Sequence, residues 1–238
     1  MEQIPLLPQP QPLRKLLPRH LQMIAIGGTI GTGLFIGGGT SIATSGPLGA
    51  LSAYLIVSIM VYAVVTSIGE LACFNPKSGS FNSYASAYFD ESLSFALGWN
   101  YWLQWAVSLP SELSAAGLIM TYWIPGTASW VWAALILTIL TVIHFYGVKG
   151  FGETEYWLSF IKCAAIVLFI FAGLAIDFGW IGSGGSIGMD LWWIHDAPFK
   201  NGAAGFFQTF LVAFFAFGGT ELIGITAGEV VNPQVFDV

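Results

Sequence analysis

The reading of this chain turns on Gly27-Gly28-Thr29-Ile30-Gly31-Thr32-Gly33, four glycines in seven residues inside an apolar run from about 21 to 42. A crossing helix needs about 20 apolar residues, so the run is long enough to span a bilayer. Each glycine weakens a helix by roughly 1 kcal/mol relative to alanine, so its middle is where the helix unwinds. A second break, Phe217-Gly218-Gly219-Thr220-Glu221, interrupts the run from about 203 to 227. One such segment reads equally as close helix packing through small residues, for which Gly27 and Gly31 have the spacing. Two of them near mid-membrane, one carrying an acid, point to discontinuous helices that bind a solute. Unwound backbone is tolerated in lipid only where protein or a water-filled cavity satisfies it.

The rest of the chain is equally apolar. Its 238 residues carry 7 Lys+Arg and 13 Asp+Glu, 8% charged in all, while 55% are hydrophobic and 16% aromatic. Soluble domains are usually about a quarter charged, and a mean hydropathy of +0.74 does not belong to one. Soluble enzymes, nucleic-acid binders and disordered scaffolds are excluded as leading readings. No phosphate loop, metal-spaced His/Cys cluster or nucleophile–base pair appears, so neither an enzyme, a cofactor nor a metal site is expected. Cys73 and Cys163 read as small buried hydrophobes.

Six apolar runs predict crossings at about 21–42, 50–73, 95–122, 129–147, 156–177 and 203–227. Their length and uniform apolarity exclude barrel strands. The fold class is all-α integral membrane. Residues 1–20 are Pro-rich and end in Arg14, Lys15, Arg19 and His20, predicting a disordered tail with no cleavable leader. Residues 21–233 form the transmembrane domain and 234–238 a stub. Between runs two and three, Phe81, Tyr84, Ala85, Tyr88 and Phe89 predict an interfacial helix over 80–91. An inside N-terminus puts Arg14, Lys15, Arg19, Lys77 and Lys149 on the cytoplasmic side and only Lys200 outside, in the 178–202 loop. Trp99, Tyr101, Trp102 and Trp105 then read as an inner aromatic belt, Trp192 and Trp193 as an outer one.

The breaks imply a ligand chemistry. Amides after Gly31, at the start of a half-helix, make a partially positive anion site. Carbonyls at Thr29 and around Phe215–Gly218 make an acceptor cluster for a cation. An α-amino acid carries both charges on one carbon, so backbone donors beside backbone acceptors fit its zwitterion without a charged side chain. The pocket for its side chain comes from elsewhere, including the third helix.

Four stretches carry a resemblance: RHLQMIAIGGTIGTGLFIGGG (19–39), GELACFNPKSGSFNSYASAYFD (69–90), ALGWNYWLQWAVSLPSELSAAG (96–117) and AFFAFGGTELIGITAGEVVNP (213–233). They resemble the amino acid permeases of the amino acid–polyamine–organocation superfamily, nearest its fungal and bacterial general permease branch. The resemblance spans Leu13 to Pro233. It implies the five-plus-five inverted-repeat transporter fold, usually twelve helices, with helices one and six broken. It further implies that the Thr29–Gly33 segment, with Ile30 and Gly31 between, holds the substrate. The carboxylate falls on Thr32 and Gly33, the amino group on carbonyls of Thr29, Phe215, Ala216 and Gly218. Phe215 matches an aromatic that closes over substrate, beside Phe217.

Three charged residues lie inside the membrane runs away from their ends: Lys162, Glu112 and Glu221. Lys162 sits about 10 Å into helix five if that helix enters near Tyr156. An intramembrane lysine is by default a functional candidate, and a snorkelling stem is the alternative. The resemblance of SFIKCAAIV to a helix-five pattern implies that Lys162 takes and releases a coupling proton. Glu112, two residues after Pro110, reads as a buried acid bonded to neighbouring helices or as a coupling group. Glu221 reads as a pin accepting free amides of the break, or as a gate. His144 is expected to be packed or interfacial. Glu70 and Glu229, each after a glycine at an inner helix end, read as structural pins or inner gates.

The expected partners are an amino acid, protons and the lipid bilayer, without nucleic acid, and the expected location is the plasma membrane. The resemblance makes the chain an N-terminal half: one five-helix repeat plus the first helix of the next. Proton-coupled symport is the function it implies. The alternative is a non-transporting fragment or an amino-acid sensor, with a partner chain supplying the missing helices.

Overall fold

The computed structural model describes residues 18–75, 79–145, 147–182, 185–193 and 197–226, and all its regular structure is helical. Most of the N-terminal tail, Lys77, Glu229 and the C-terminal stub therefore lie outside the described residues. In chain order the helices are α1 (Pro18–Thr29), α2 (Thr32–Phe35), α3 (Gly37–Phe74), α4 (Ser80–Tyr88), α5 (Glu91–Trp123), α6 (Ser129–Phe145), α7 (Gly147–Asp177), α8 (Gly202–Ala216) and α9 (Leu222–Thr226). A single 3₁₀ turn, Asp190–Trp192, lies in the loop before α8. The segment Gly37–Phe74 and the stretch Gly152–Asp177 are long and apolar enough to cross a membrane by length and composition, and three shorter apolar helices cover 22–35, 129–145 and 202–216.

The first two predicted runs meet inside α3. Gly46 leaves the helical region at φ 77°, ψ 169°, a conformation that suits only a residue without a Cβ, and Pro47 restarts the helix. The chain folds back there. On one straight helix Gly33 and Tyr54 would stand about 30 Å apart, yet the Tyr54 hydroxyl donates to the Gly33 carbonyl at 3.4 Å. The first run thus ends at 45 rather than 42, and the second begins at 47 rather than 50. Apolarity alone misses these residues because Ser41 and Ser45 are buried against α8 rather than facing lipid.

Other boundaries move for local reasons. Asp90 caps α5 by accepting the Ser92 amide at 3.0 Å, so that helix starts at Glu91 rather than 95 and the interfacial helix stops at Tyr88 rather than 91. Helix α7 begins at Gly147 rather than 156, because the polar stretch containing Glu153 and Glu155 continues the helix beyond the apolar window. Lys162 is therefore further along its helix than a start at Tyr156 implies.

The core is built of small residues. Ala50, Ala53, Val57 and Ala213 are fully or nearly fully buried, joined by Ser41, Ser45, Ser159 and Thr209. Large side chains such as Tyr62, Phe74, Trp130 and Phe169 face outward, each more than 70% exposed. That inversion suits helices in lipid, where tails are as apolar as leucine and association depends on close backbone approach. Helix α8 runs antiparallel to residues 32–45: Gly205 lies against Thr44, Thr209 against Ser41 and Ser45, and Gly33 against Ala216. Helix α1 instead packs along α7, where Gly27 rides directly on Ser159.

Candidate functional site

Both predicted breaks are present, and they lie side by side. Helix α1 stops at Thr29, whose hydroxyl turns back to the Ile26 carbonyl at 2.7 Å. Ile30 still donates to the Gly27 carbonyl at 3.3 Å, then Gly31 runs extended and α2 starts at Thr32. The amides of Thr32 and Gly33, in the first turn of the new half-helix, have no carbonyl behind them within the helix. The Gly31 carbonyl is the first acceptor, taking Leu34 and Phe35 amides at 3.1 Å each.

The second break follows Ala216. Residues 217–221 form tight turns: Gly218 donates to the Phe215 carbonyl at 3.1 Å, and Leu222 to Gly219 at 3.2 Å. Gly219 sits at φ 98° against the Gly28 carbonyl, where any Cβ would overlap it. Glu221 closes the turn on itself, one carboxylate oxygen accepting the Gly219 amide at 2.9 Å. Its other oxygen is buried without a hydrogen-bond partner.

Between the breaks lies a cavity of about 440 Å³. Gly28, Thr29, Gly31 and Gly33 line it from the first break, Phe214, Phe215, Ala216, Gly218 and Gly219 from the second, and Gln104, Trp105, Ser108 and Glu112 from α5. Of the predicted substrate residues, Thr29, Gly31, Gly33, Phe215, Ala216 and Gly218 face this space. Ile30, Thr32 and Phe217 do not line it: the Thr32 hydroxyl donates to Glu112 at 2.7 Å, and the Phe217 ring packs on Tyr54 at 6.3 Å. The Phe215 carbonyl spends one lone pair on Gly218, so its capacity toward a ligand is half what an unwound strand offers.

The three membrane acids and bases take different places. Glu112 reaches into the cavity and ties α5 to the first break through Thr32. Lys162 does not enter the cavity. It approaches the same break from the α7 side, its ammonium donating to the Gly27 carbonyl at 2.9 Å and standing 3.6 Å from Glu155. An ammonium at the C-terminal end of α1 complements the partial negative charge there. Glu221 pins the second break, as described.

Sequence reading missed two sets of residues. Gln104 and Ser108 stand eight and four positions before Glu112, which it did single out, and complete a polar stripe along an apolar helix that the wall of the cavity now explains. Trp105, assigned above to an inner aromatic belt, instead lines the cavity, because it stands 14 residues from the start of α5, about 21 Å along the axis. Tyr101, one turn earlier, packs its ring on Phe81 of α4 at 5.1 Å and on Trp105 at 6.1 Å. Glu155, seven residues before Lys162 on the same helix face, is the second omission.

The amino acid permease family profile matches residues 20–235. The lysine-specific permease LysP of Escherichia coli (strain K12) is 46% identical over 220 residues, covering 92% of this chain and 45% of its own. The general amino-acid permease GAP2 of Candida albicans is 46% identical over 234 residues, covering 98% of this chain and 40% of its own. The histidine permease HisP of Lactococcus lactis is 46% identical over 225 residues, 94% of this chain and 47% of its own. The chain thus spans less than half the length of these relatives. No solved structure matches it.

Proposed function

The chain belongs to the amino acid permease family of integral membrane proteins, and on that premise we propose that it forms the substrate-binding half of a proton-coupled L-amino-acid symporter. The observation that carries this reading is the cavity between the two breaks. Its volume of about 440 Å³ falls in the range of small-ligand sites, roughly 300–1,000 Å³. Backbone supplies both charges' partners. The Thr32 and Gly33 amides receive the carboxylate, and the carbonyls of Thr29, Ala216 and Gly218, with the remaining lone pair of Phe215, receive the ammonium.

The wall from α5 selects the side chain. Gln104 and Ser108 offer hydrogen bonds, Trp105 and Phe215 offer aromatic faces. Coupling uses the charged groups that hold the breaks. Glu112 beside the carboxylate site opposes an anion when ionised and offers a donor when protonated, so proton and substrate bind together. Lys162, on the Gly27 carbonyl, carries the coupling proton, and Glu221 sets the shape of the second break. Ile30, Gly31 and Phe217 serve as backbone and packing around these groups.

In the membrane we assign six crossings: 18–45, 47–74, 91–123, 129–145, 147–177 and 202–226, an arrangement of one five-helix repeat and the first helix of the next. The N-terminus faces the cytoplasm of a plasma membrane, which leaves Lys200 and the loop before α8 outside. The complete inverted repeat requires further helices, from the rest of a longer chain or from a partner. Uptake of labelled amino acids by cells producing the full-length gene product tests the reading. Accumulation that collapses with a protonophore is the expected result. Uptake that ignores the proton gradient would remove the coupling role, and no binding of any amino acid would remove the site.

A further inference from the structure

A proton carried by Lys162 must leave along α7, because the ammonium does not enter the cavity. Helix α7 carries three charged groups on the side facing α1: Glu153, Glu155 and Lys162. Glu153 is committed at the outer edge of the interface, paired with Arg19, whose guanidinium also lies 5.6 Å over the Tyr156 ring. Glu155 is deeper and less committed. Its side chain is 20% exposed, it accepts one hydroxyl from buried Ser159 at 3.2 Å, and the same oxygen stands 3.6 Å from the Lys162 ammonium. That oxygen also lies 3.1 Å from the place of a Cβ on Gly27, so glycine there lets the carboxylate reach the α1 surface beside the Gly27 carbonyl. The other element packed on α7, α6, brings His144, whose ring bonds its own helix at the Leu140 carbonyl, 2.8 Å away.

We propose that Glu155 is the proton acceptor through which Lys162 discharges its proton toward the Arg19 end of the molecule, an inference that rests on the coupling role assigned to Lys162. In the step, one Nζ–H bond of Lys162 breaks and an Oε1–H bond of Glu155 forms. Ammonium and carboxylate become amine and carboxylic acid, so the pair's net charge stays at zero. The step requires the Gly27 carbonyl, which holds the ammonium at 2.9 Å, to move away from Lys162. Glu155, nearer the Arg19 end by seven residues, about 10 Å along the helix, then releases the proton to water. Arg19 and Glu153, mutually neutralised, leave that exit without a net positive barrier.

The route predicts a split between two modes of transport. Net uptake driven by a pH gradient needs the proton released, whereas exchange of internal for external substrate does not. In proteoliposomes of the full-length gene product, Glu155→Gln should lower net uptake by at least about 100-fold, the low end for a lost proton-transfer group, and leave exchange within about twofold of wild type. Glu155→Asp should restore part of the net uptake. A parallel fall in both modes, or no fall in either, overturns the proposal. Low-against-high-pH infrared difference spectra of the same purified protein give a second readout independent of transport. A protonated-carboxyl band should vanish in Glu155→Gln and shift its titration in Lys162→Met; an unchanged band in Glu155→Gln also overturns it. Wild-type protein that does not transport removes the symporter reading, while the infrared band still decides whether Glu155 takes a proton.

Discussion

The two halves of the first crossing are held by different physics. Residues 32–45 are fixed to α8 by shape and by neutral hydroxyls: Gly33 sits on the Ala216 backbone, and Thr209 donates to the buried Ser45 hydroxyl at 2.9 Å. The loop before α8 closes the same end, the Lys200 amide donating to the Ser45 carbonyl at 2.8 Å and the Asn201 side chain to Thr44 at 2.9 Å. Helix α1 is fixed to α7 by the close packing of Gly27 on Ser159 and, unlike residues 32–45, also by charge: Arg19 on Glu153, Lys162 on the Gly27 carbonyl and on Glu155. Neutral contacts in lipid keep their strength whatever the protonation state. Charged ones weaken when a proton moves or salt enters. The break at Ile30 and Gly31 therefore separates a half held by neutral contacts from one held in part by ion pairs.

Four changes test that contrast, beginning with the largest effect. Lys162→Met removes the charge beneath the break and should reduce pH-driven uptake by at least about 100-fold, measured as initial rates across an imposed gradient. Survival of that uptake would return the lysine to a snorkelling role. Gly33→Val overpacks the neutral half against Ala216 and should destabilise the protein by about 1–3 kcal/mol. Thermal unfolding in detergent would register the loss, with no dependence on pH. Thr209→Val leaves Ser45 without its donor, for a smaller loss of about 1 kcal/mol, again insensitive to salt. Arg19→Ala removes an ion pair that is half in water and should cost less than about 1 kcal/mol. Its signature is kinetic: faster amide hydrogen exchange in α1 than in α8, reproduced in wild type by 1 M salt, where screening contracts to about 3 Å. Equal salt sensitivity of α1 and α8 would dissolve the distinction between the halves.

Much of this architecture was legible in the residues. Apolar runs located the helices because every crossing must present a continuous apolar length, and glycine clusters located both breaks because propensity is local. The errors fell where a local signal was outweighed. Gly46 and Pro47 join the first two runs through small polar residues that apolarity alone excludes. Asp90 extends α5 by capping it. Trp105 carries the same side chain as the tryptophans assigned to the belts but stands 14 residues into α5, about 21 Å along its axis.

The sequence by itself determined that this chain is helical, lies in a membrane, belongs to a family of permeases and breaks two of its helices, since each of these follows from composition, periodicity or motif. Only the tertiary structure decided what holds the breaks. Thr32 meets Glu112 across 80 positions and Gly27 meets Lys162 across 135, and Gly28 meets Gly219 backbone to backbone. Contacts between such distant positions leave no period in the chain. They exist because small residues let helices approach until a single carbonyl, hydroxyl or ammonium is within hydrogen-bond reach.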